Sequence, residues 1–191
     1  MSSVYTRKGD DGKTYTGASQ RELKSSINAV MTGTIDELHV QIGKCCTYTK
    51  NYQTEDHEIL KELAHNCLDL GSIVYFTNNN KEEEAGKIIQ NKFIDYSKKL
   101  EHSIDNKNLP KLENFLVFND CNILTITLHE TRAKVRQCER VFIEWKESKN
   151  NLPQSMIHIS QYLNRLSDFF FVLARYYSDS ETNRYSTQSI N

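Results

Sequence analysis

Proline and glycine are scarce: two and seven in 191 residues. So few turn-formers argue for long helices joined by few turns. No apolar run is long enough to span a bilayer. Arg7, Lys8, Asp10 and Asp11 arrive before any apolar stretch, so neither a signal peptide nor an amphipathic presequence is read. Neither sign of charge dominates. Lys and Arg number 24 against 25 Asp and Glu, a net charge of −1, so no global field draws the chain to nucleic acid or to a membrane. The five cysteines are odd in number, no pair has zinc-site spacing, and Cys45, Cys67 and Cys138 fall on apolar seams. They read as reduced thiols, and the expectation is a cytoplasmic protein of one domain without a disulfide framework.

What the chain does have is helical periodicity. Leu124, Leu128, Thr131, Val135, Cys138, Phe142 and Trp145 recur at alternating spacings of four and three, the buried seam of an amphipathic helix. Four more seams predict four more helices. One runs over about 25–49 (Met31, Ile35, Leu38, Ile42, Cys45), with Asp36 and Glu37 off the seam as ordinary surface charge. A second starts at an N-cap Thr54 and runs to about Phe76. A third, the least amphipathic, lies near 86–104, and the last covers about 154–177. The fold class predicted is all-α, a five-helix up-and-down bundle. It spans 25–178, preceded by a loop over 1–24 and followed by a polar, frayed tail over 179–191.

Beside the fourth seam lie His129, Arg132, Arg136 and Glu139, with Arg140 next to them. Arginines four apart on one helix face repel one another. A bound anion explains the pattern, because guanidinium groups grip phosphates bidentately; a solvated basic edge explains it equally. Residues 4–17 carry three of the glycines in a loop whose amides, with Thr6, Lys8, Lys13 and Thr14, suit phosphate, although the Walker order is absent and a plain exposed turn fits as well. Asn164 and Arg165 interrupt the apolar fifth helix and need partners. In the long connection before the fourth helix, Leu112 and Phe115–Phe118 either fold back on the core or line a pocket.

Three separated pieces, TRKGDDGKT with GTIDEL, LHETRAKVRQCER and YLNRLSDFFFVLARY, together resemble the PduO-type ATP:cob(I)alamin adenosyltransferases, also called corrinoid adenosyltransferases. DLG at 69–71 and LPKLENF before the fourth helix extend the resemblance through nearly the whole chain. It implies a homotrimer of five-helix bundles with ATP and cobalamin bound between subunits, and transfer of the 5′-deoxyadenosyl group of ATP to the cobalt of cob(I)alamin with Mg²⁺. By the same resemblance, Thr6, Arg7, Lys8 and Gly9 wrap the triphosphate, and Lys24 binds phosphate. Arg132, Arg136, Gln137, Glu139 and Arg140 stand in the family's RxxxRxxER stretch, and Asn164 is its nucleotide-contacting asparagine. Asp36 pairs with an arginine across the interface, with Arg132 its candidate partner. Phe115 is the ring wedged under the corrin and Phe171 an apolar wall beside it. A cobalamin reductase and an adenosylcobalamin-dependent enzyme are the protein partners such an enzyme would have.

Four positions depart from the family pattern. Phe118-Asn119-Asp120-Cys121 replaces PGG, Gln137 replaces the second arginine of RRAER, Lys13 stands where threonine is common, and Val30 replaces a frequent acid. The rival readings are a protein that binds and delivers or senses ATP or adenosylcobalamin with weakened catalysis, and a helical assembly protein whose arginines serve only interface salt bridges.

Overall fold

The computed structural model describes residues 5, 7–17, 20–52, 54–112, 115–118, 121–178 and 184–185. After a short antiparallel hairpin, β1 (Lys13–Thr14) and β2 (Glu22–Leu23), come α1 (Ile27–Thr49) and α2 (Glu55–Asn78). A third rod follows in three pieces, α3 (Glu82–Ile88), a π turn (Ile89–Phe93) and α4 (Ile94–Asp105). Then come β3 (Phe115–Leu116), α5 (Ile123–Glu147), α6 (Ile157–Tyr176) and β4 (Arg184–Tyr185). The five helical rods form the expected all-α bundle: α1 packs on α2 and α5, and α6 on α5 and α4.

The seams are what the bundle buries. All seven seam residues of α5 are buried, and Val135, Cys138, Phe142 and Trp145 are fully so. Burying a ring such as Phe142 contributes roughly 1.5–3 kcal/mol. Cys45, Cys67 and Cys138 are buried free thiols. Burial pushes the Cys67 and Cys138 thiols up to about 12, so they stay protonated and unreactive.

The helix ends follow local chemistry. Ser26 Oγ accepts from the Ala29 N–H (3.2 Å) and Asn122 Oδ1 from the Thr125 N–H (2.7 Å), both ordinary N-caps. Thr54 occupies the N-cap position of α2 without making a side-chain cap; its hydroxyl lies 3.4 Å from the Tyr177 hydroxyl instead. The third rod begins at Glu82, earlier than the sequence suggests. Glu82–Glu84 form its first turn, where acidic groups meet the positive end of the helix dipole.

A buried hub closes one end of the bundle. Asp56 is 3% exposed and accepts from Lys107 Nζ at both oxygens (2.7 Å each) and from the Tyr177 hydroxyl (2.9 Å). The Tyr177 carbonyl accepts from Asn122 Nδ2 (2.9 Å) and Thr125 Oγ1 (3.0 Å). One residue thus ties the starts of α2 and α5 to the end of α6, and fixes where the 115–121 connection must land. Of the tail, expected to be frayed, Arg184–Tyr185 are described: as β4 they pair antiparallel with β3, Phe115 opposite Tyr185 and Leu116 opposite Arg184.

Candidate functional site

The first group of site residues gathers at the opposite end of α5. Arg7 (φ 57°) and Gly12 (φ 77°) take left-handed conformations that turn the loop back on itself. β1 pairs with β2, and the Lys24 N–H donates to the Gly12 carbonyl (2.9 Å). The Lys24 side chain then lies over Gly9, where an added Cβ would stand 3.3 Å from its ammonium nitrogen. Arg21 holds the turn from inside, donating to the Lys8 carbonyl and the Asp11 carboxylate. Lys8, Gly9, Lys13 and Lys24 therefore share one hairpin, as a phosphate cradle requires. Thr6 lies outside the described residues.

A latch fastens this hairpin to the bundle. Asn28 Nδ2 donates to both oxygens of Glu22 (2.9 and 3.0 Å), while Asn28 Oδ1 accepts from Trp145 Nε1 (3.1 Å) and Lys149 Nζ (2.6 Å). Burial alone would raise the Glu22 carboxyl, but hydrogen bonds from Ser26 and Asn28 outweigh it and keep the group below the usual carboxylate range. Trp145 Nε1 also lies 3.3 Å from Asn78 Oδ1, and Asn78 Nδ2 donates to the Thr16 carbonyl (3.0 Å). Only glycine fits at position 17, since a Cβ there would approach Tyr75 Cδ2 to 2.7 Å. Nothing in the sequence announces this latch, because isolated Asn, Glu and Lys residues carry no periodic signal.

The second group lies about 20 Å away along α5, the rise of the thirteen residues from Arg132 to Trp145. Arg132 stands over the Phe171 ring, 5.4 Å from the centroid. His129 is buried between Phe118 (4.3 Å between ring centroids) and Phe171 (6.2 Å). Neither His129 Nδ1 nor Arg132 Nε has a hydrogen-bond partner among the described residues. Burial, helped by the Arg132 charge, pushes the imidazole down to about 4. Burial and the neighbouring Arg136 lower Arg132 as well. The basic stripe is thus partly desolvated and self-repelling at Arg132, which an anion would relieve, while Arg136 and Arg140 are solvent-exposed. Of Phe115, the described feature is its backbone pairing in β3.

Asn164 is exposed rather than a buried amide, and its Oδ1 accepts from Arg165 Nη1 (3.1 Å). Arg165 is itself paired with Glu101 (3.0 Å) and Asp168 (2.8 Å). α5 and α6 run antiparallel, with Thr125 beside Tyr177 and Arg132 beside Phe171. The same register sets Asn164 level with half-buried Glu139. Gln137 and Arg140 line an open groove of about 450 Å³ with Gln41, Glu130, Ala133 and Lys134. In it Lys134, ion-paired to Glu37 (2.7 Å), donates to Gln137 Oε1 (3.2 Å).

Asp36 is exposed and lines a different groove, about 330 Å³ between α1 and α2, with Ile35, His39, Leu68 and Gly71. Arg132 faces α6. The two do not meet within one chain, and neither do the hairpin lysines and Arg132. No group of three His, Cys, Asp or Glu able to hold a metal occurs among the described residues. Among the described residues, no helix is long and apolar enough to cross a membrane.

Comparison with known proteins identifies the family. The family model described as cobalamin adenosyltransferase matches residues 4–177. A cobalamin adenosyltransferase of Cupriavidus metallidurans is 32% identical over 180 residues, covering 92% of this chain and 88% of the relative. A human corrinoid adenosyltransferase is 28% identical over 191 residues, covering 95% and 71%. The fold is shared with a variant PduO-type ATP:corrinoid adenosyltransferase from Lactobacillus reuteri, solved with cobalamin and ATP. That structure superposes with a TM-score of 0.72 at 23% identity, over 91% of this chain and 92% of the other. The chain belongs to the cobalamin adenosyltransferase family.

Proposed function

We infer that this member of the family is an ATP:cob(I)alamin adenosyltransferase. The observation that carries the reading is the meeting of a partly buried arginine stripe on α5 with an aromatic wall on α6, Arg132 over Phe171. A nucleotide's leaving phosphates and an apolar macrocycle need those two surfaces side by side. In the reaction the cobalt of cob(I)alamin supplies the electron pair that forms the Co–C5′ bond. The C5′–O bond breaks, and triphosphate leaves with that bond's electrons. No proton has to move, so the protein needs no general base. Its residues align the reactants and neutralise the charge on the departing oxygens.

Arg136, Arg140, Lys8 and Lys24 are assigned to the phosphates, with Arg7 and Gly9 supplying the turn. Thr6, which belongs to the same stretch, is assigned there too. Glu139, Gln137 and Asn164 are assigned to the rest of the nucleotide. Asp36 and Arg132 form the pair between copies. Their separation within one chain, and the 20 Å between hairpin and Arg132, support a homotrimer whose sites draw on two subunits. Mg²⁺ keeps most of its ligands as water and substrate phosphate oxygens. The lack of a three-ligand cluster among the described residues fits an ion that arrives with ATP.

Phe115 and Phe171 are assigned to the corrin, Phe115 excluding a lower axial ligand so that the cobalt can be reduced. The 118–121 departure favours the delivery-protein reading; its first residue, Phe118, packs on His129. Phe115→Ala separates the readings. Turnover from cob(II)alamin should fall by orders of magnitude, and turnover from chemically formed cob(I)alamin much less. Equal losses from both starting states would remove Phe115 from the corrin site.

A further inference from the structure

We propose that His129 and Arg132 together recognise a primary carboxamide on the rim of the corrinoid, His129 thereby being a corrin-binding residue. This rests on the adenosyltransferase reading of the site. Buried polar side-chain atoms nearly always have a partner. Here two that lack one among the described residues, His129 Nδ1 and Arg132 Nε, sit one helical turn apart. Their surroundings are apolar: Phe118 on one side, Phe171 shared between them. His129 is only 6% exposed, so bulk water does not satisfy it.

The two atoms differ in kind. Arginine Nε–H donates and never accepts, whereas a neutral imidazole protonated at Nε2 offers Nδ1 as an acceptor. Burial and the Arg132 charge keep this imidazole neutral. A donor beside an acceptor complements a group with a carbonyl and an N–H side by side. A primary carboxamide is that group, and the corrin rim carries several. A carboxylate or phosphate would satisfy Arg132 and leave Nδ1 facing lone pairs. The Watson–Crick edge of adenine offers a similar pair. The position beside Phe118 of the corrin-side connection, at the far end of α5 from the phosphate hairpin, favours the corrinoid. The remaining guanidinium nitrogens of Arg132 stay available for Asp36 of another copy.

The test compares the full-length protein with His129→Phe, which keeps the ring packing, and His129→Asn, whose Oδ1 can replace Nδ1. With ATP present, His129→Phe should bind cob(II)alamin at least about tenfold more weakly, with the KM for ATP unchanged within twofold. His129→Asn should recover to within about threefold of wild type. In ¹⁵N-histidine-labelled wild type, the His129 Nδ1 resonance should move upfield when hydroxocobalamin is added with ATP and stay put with ATP alone. Unchanged cob(II)alamin binding in His129→Phe, no recovery in His129→Asn, an Nδ1 signal indifferent to hydroxocobalamin, or a matching rise in the KM for ATP each overturns the proposal. If the wild type forms no adenosylcobalamin, the functional reading itself fails. Normal wild-type turnover with unaltered His129→Phe binding sinks only this inference.

Discussion

Arg132 lies 5.4 Å above the Phe171 ring, while Asp36, its proposed ion-pair partner, opens on the groove between α1 and α2. The pair is open within a single chain, so closing it takes a second copy. The protein is therefore expected to sediment as a trimer at micromolar concentration. Arg132→Ala should shift it towards monomer, since removing one partner of a desolvated pair costs ~3–5 kcal/mol. A wild-type monomer at that concentration would exclude the interface site.

Arg136 carries the phosphate assignment. Arg136→Ala should remove a charge-assisted contact of ~1.5–3 kcal/mol, lowering kcat/KM for ATP roughly 10- to 150-fold. Gln137→Arg should be neutral or beneficial, because it restores a charge the family usually has. Unchanged ATP kinetics in Arg136→Ala would return the stripe to a solvated basic edge.

The latch is expected to act on the nucleotide alone. Asn28→Ala removes one of the two ties between the hairpin and Trp145, leaving Glu22 with Ser26 and Trp145 with Asn78. The KM for ATP should rise several-fold while the KM for cobalamin stays constant. Parallel rises in both constants would show general loosening of the bundle instead.

These residues also mark what could be read in advance. The seams of α1, α2, α5 and α6 were legible because a 3.6-residue period reports burial directly. The family motif assigns Gly9 and Lys24 to phosphate separately, and the fold sets them side by side. The Asp56–Lys107–Tyr177 hub was not legible: an aspartate in a helix's first turn looks like dipole-stabilising surface charge until the lysine that buries it arrives from a distant loop. β3 and β4 are two residues each, too short for any alternation to show. The stripe containing His129 was visible, but its burial depends on Phe118 folding back from an irregular connection. A site shared between copies leaves no periodic trace at all.

Burial of His129 makes a pH prediction. Its folded value, about 4, lies below the ordinary 6.5, so the unfolded chain binds the proton more readily. Its contribution to stability is intact above about pH 6.5 and is lost as pH falls towards 4. Between pH 7 and pH 5 the loss is about 2 kcal/mol. Urea unfolding should show wild type losing that much more than His129→Phe over the same interval. Identical losses would mean that His129 titrates normally.

The central claim is adenosyl transfer, and its most direct test is an anaerobic mixture of the protein, ATP, Mg²⁺ and chemically formed cob(I)alamin, followed spectroscopically. The cob(I)alamin spectrum should give way to that of adenosylcobalamin, with one triphosphate released per cobalamin converted and far slower conversion in Arg136→Ala. Bound ATP and corrinoid without any adenosylcobalamin, from cob(I)alamin supplied ready-made, would contradict it and leave a binding protein in its place.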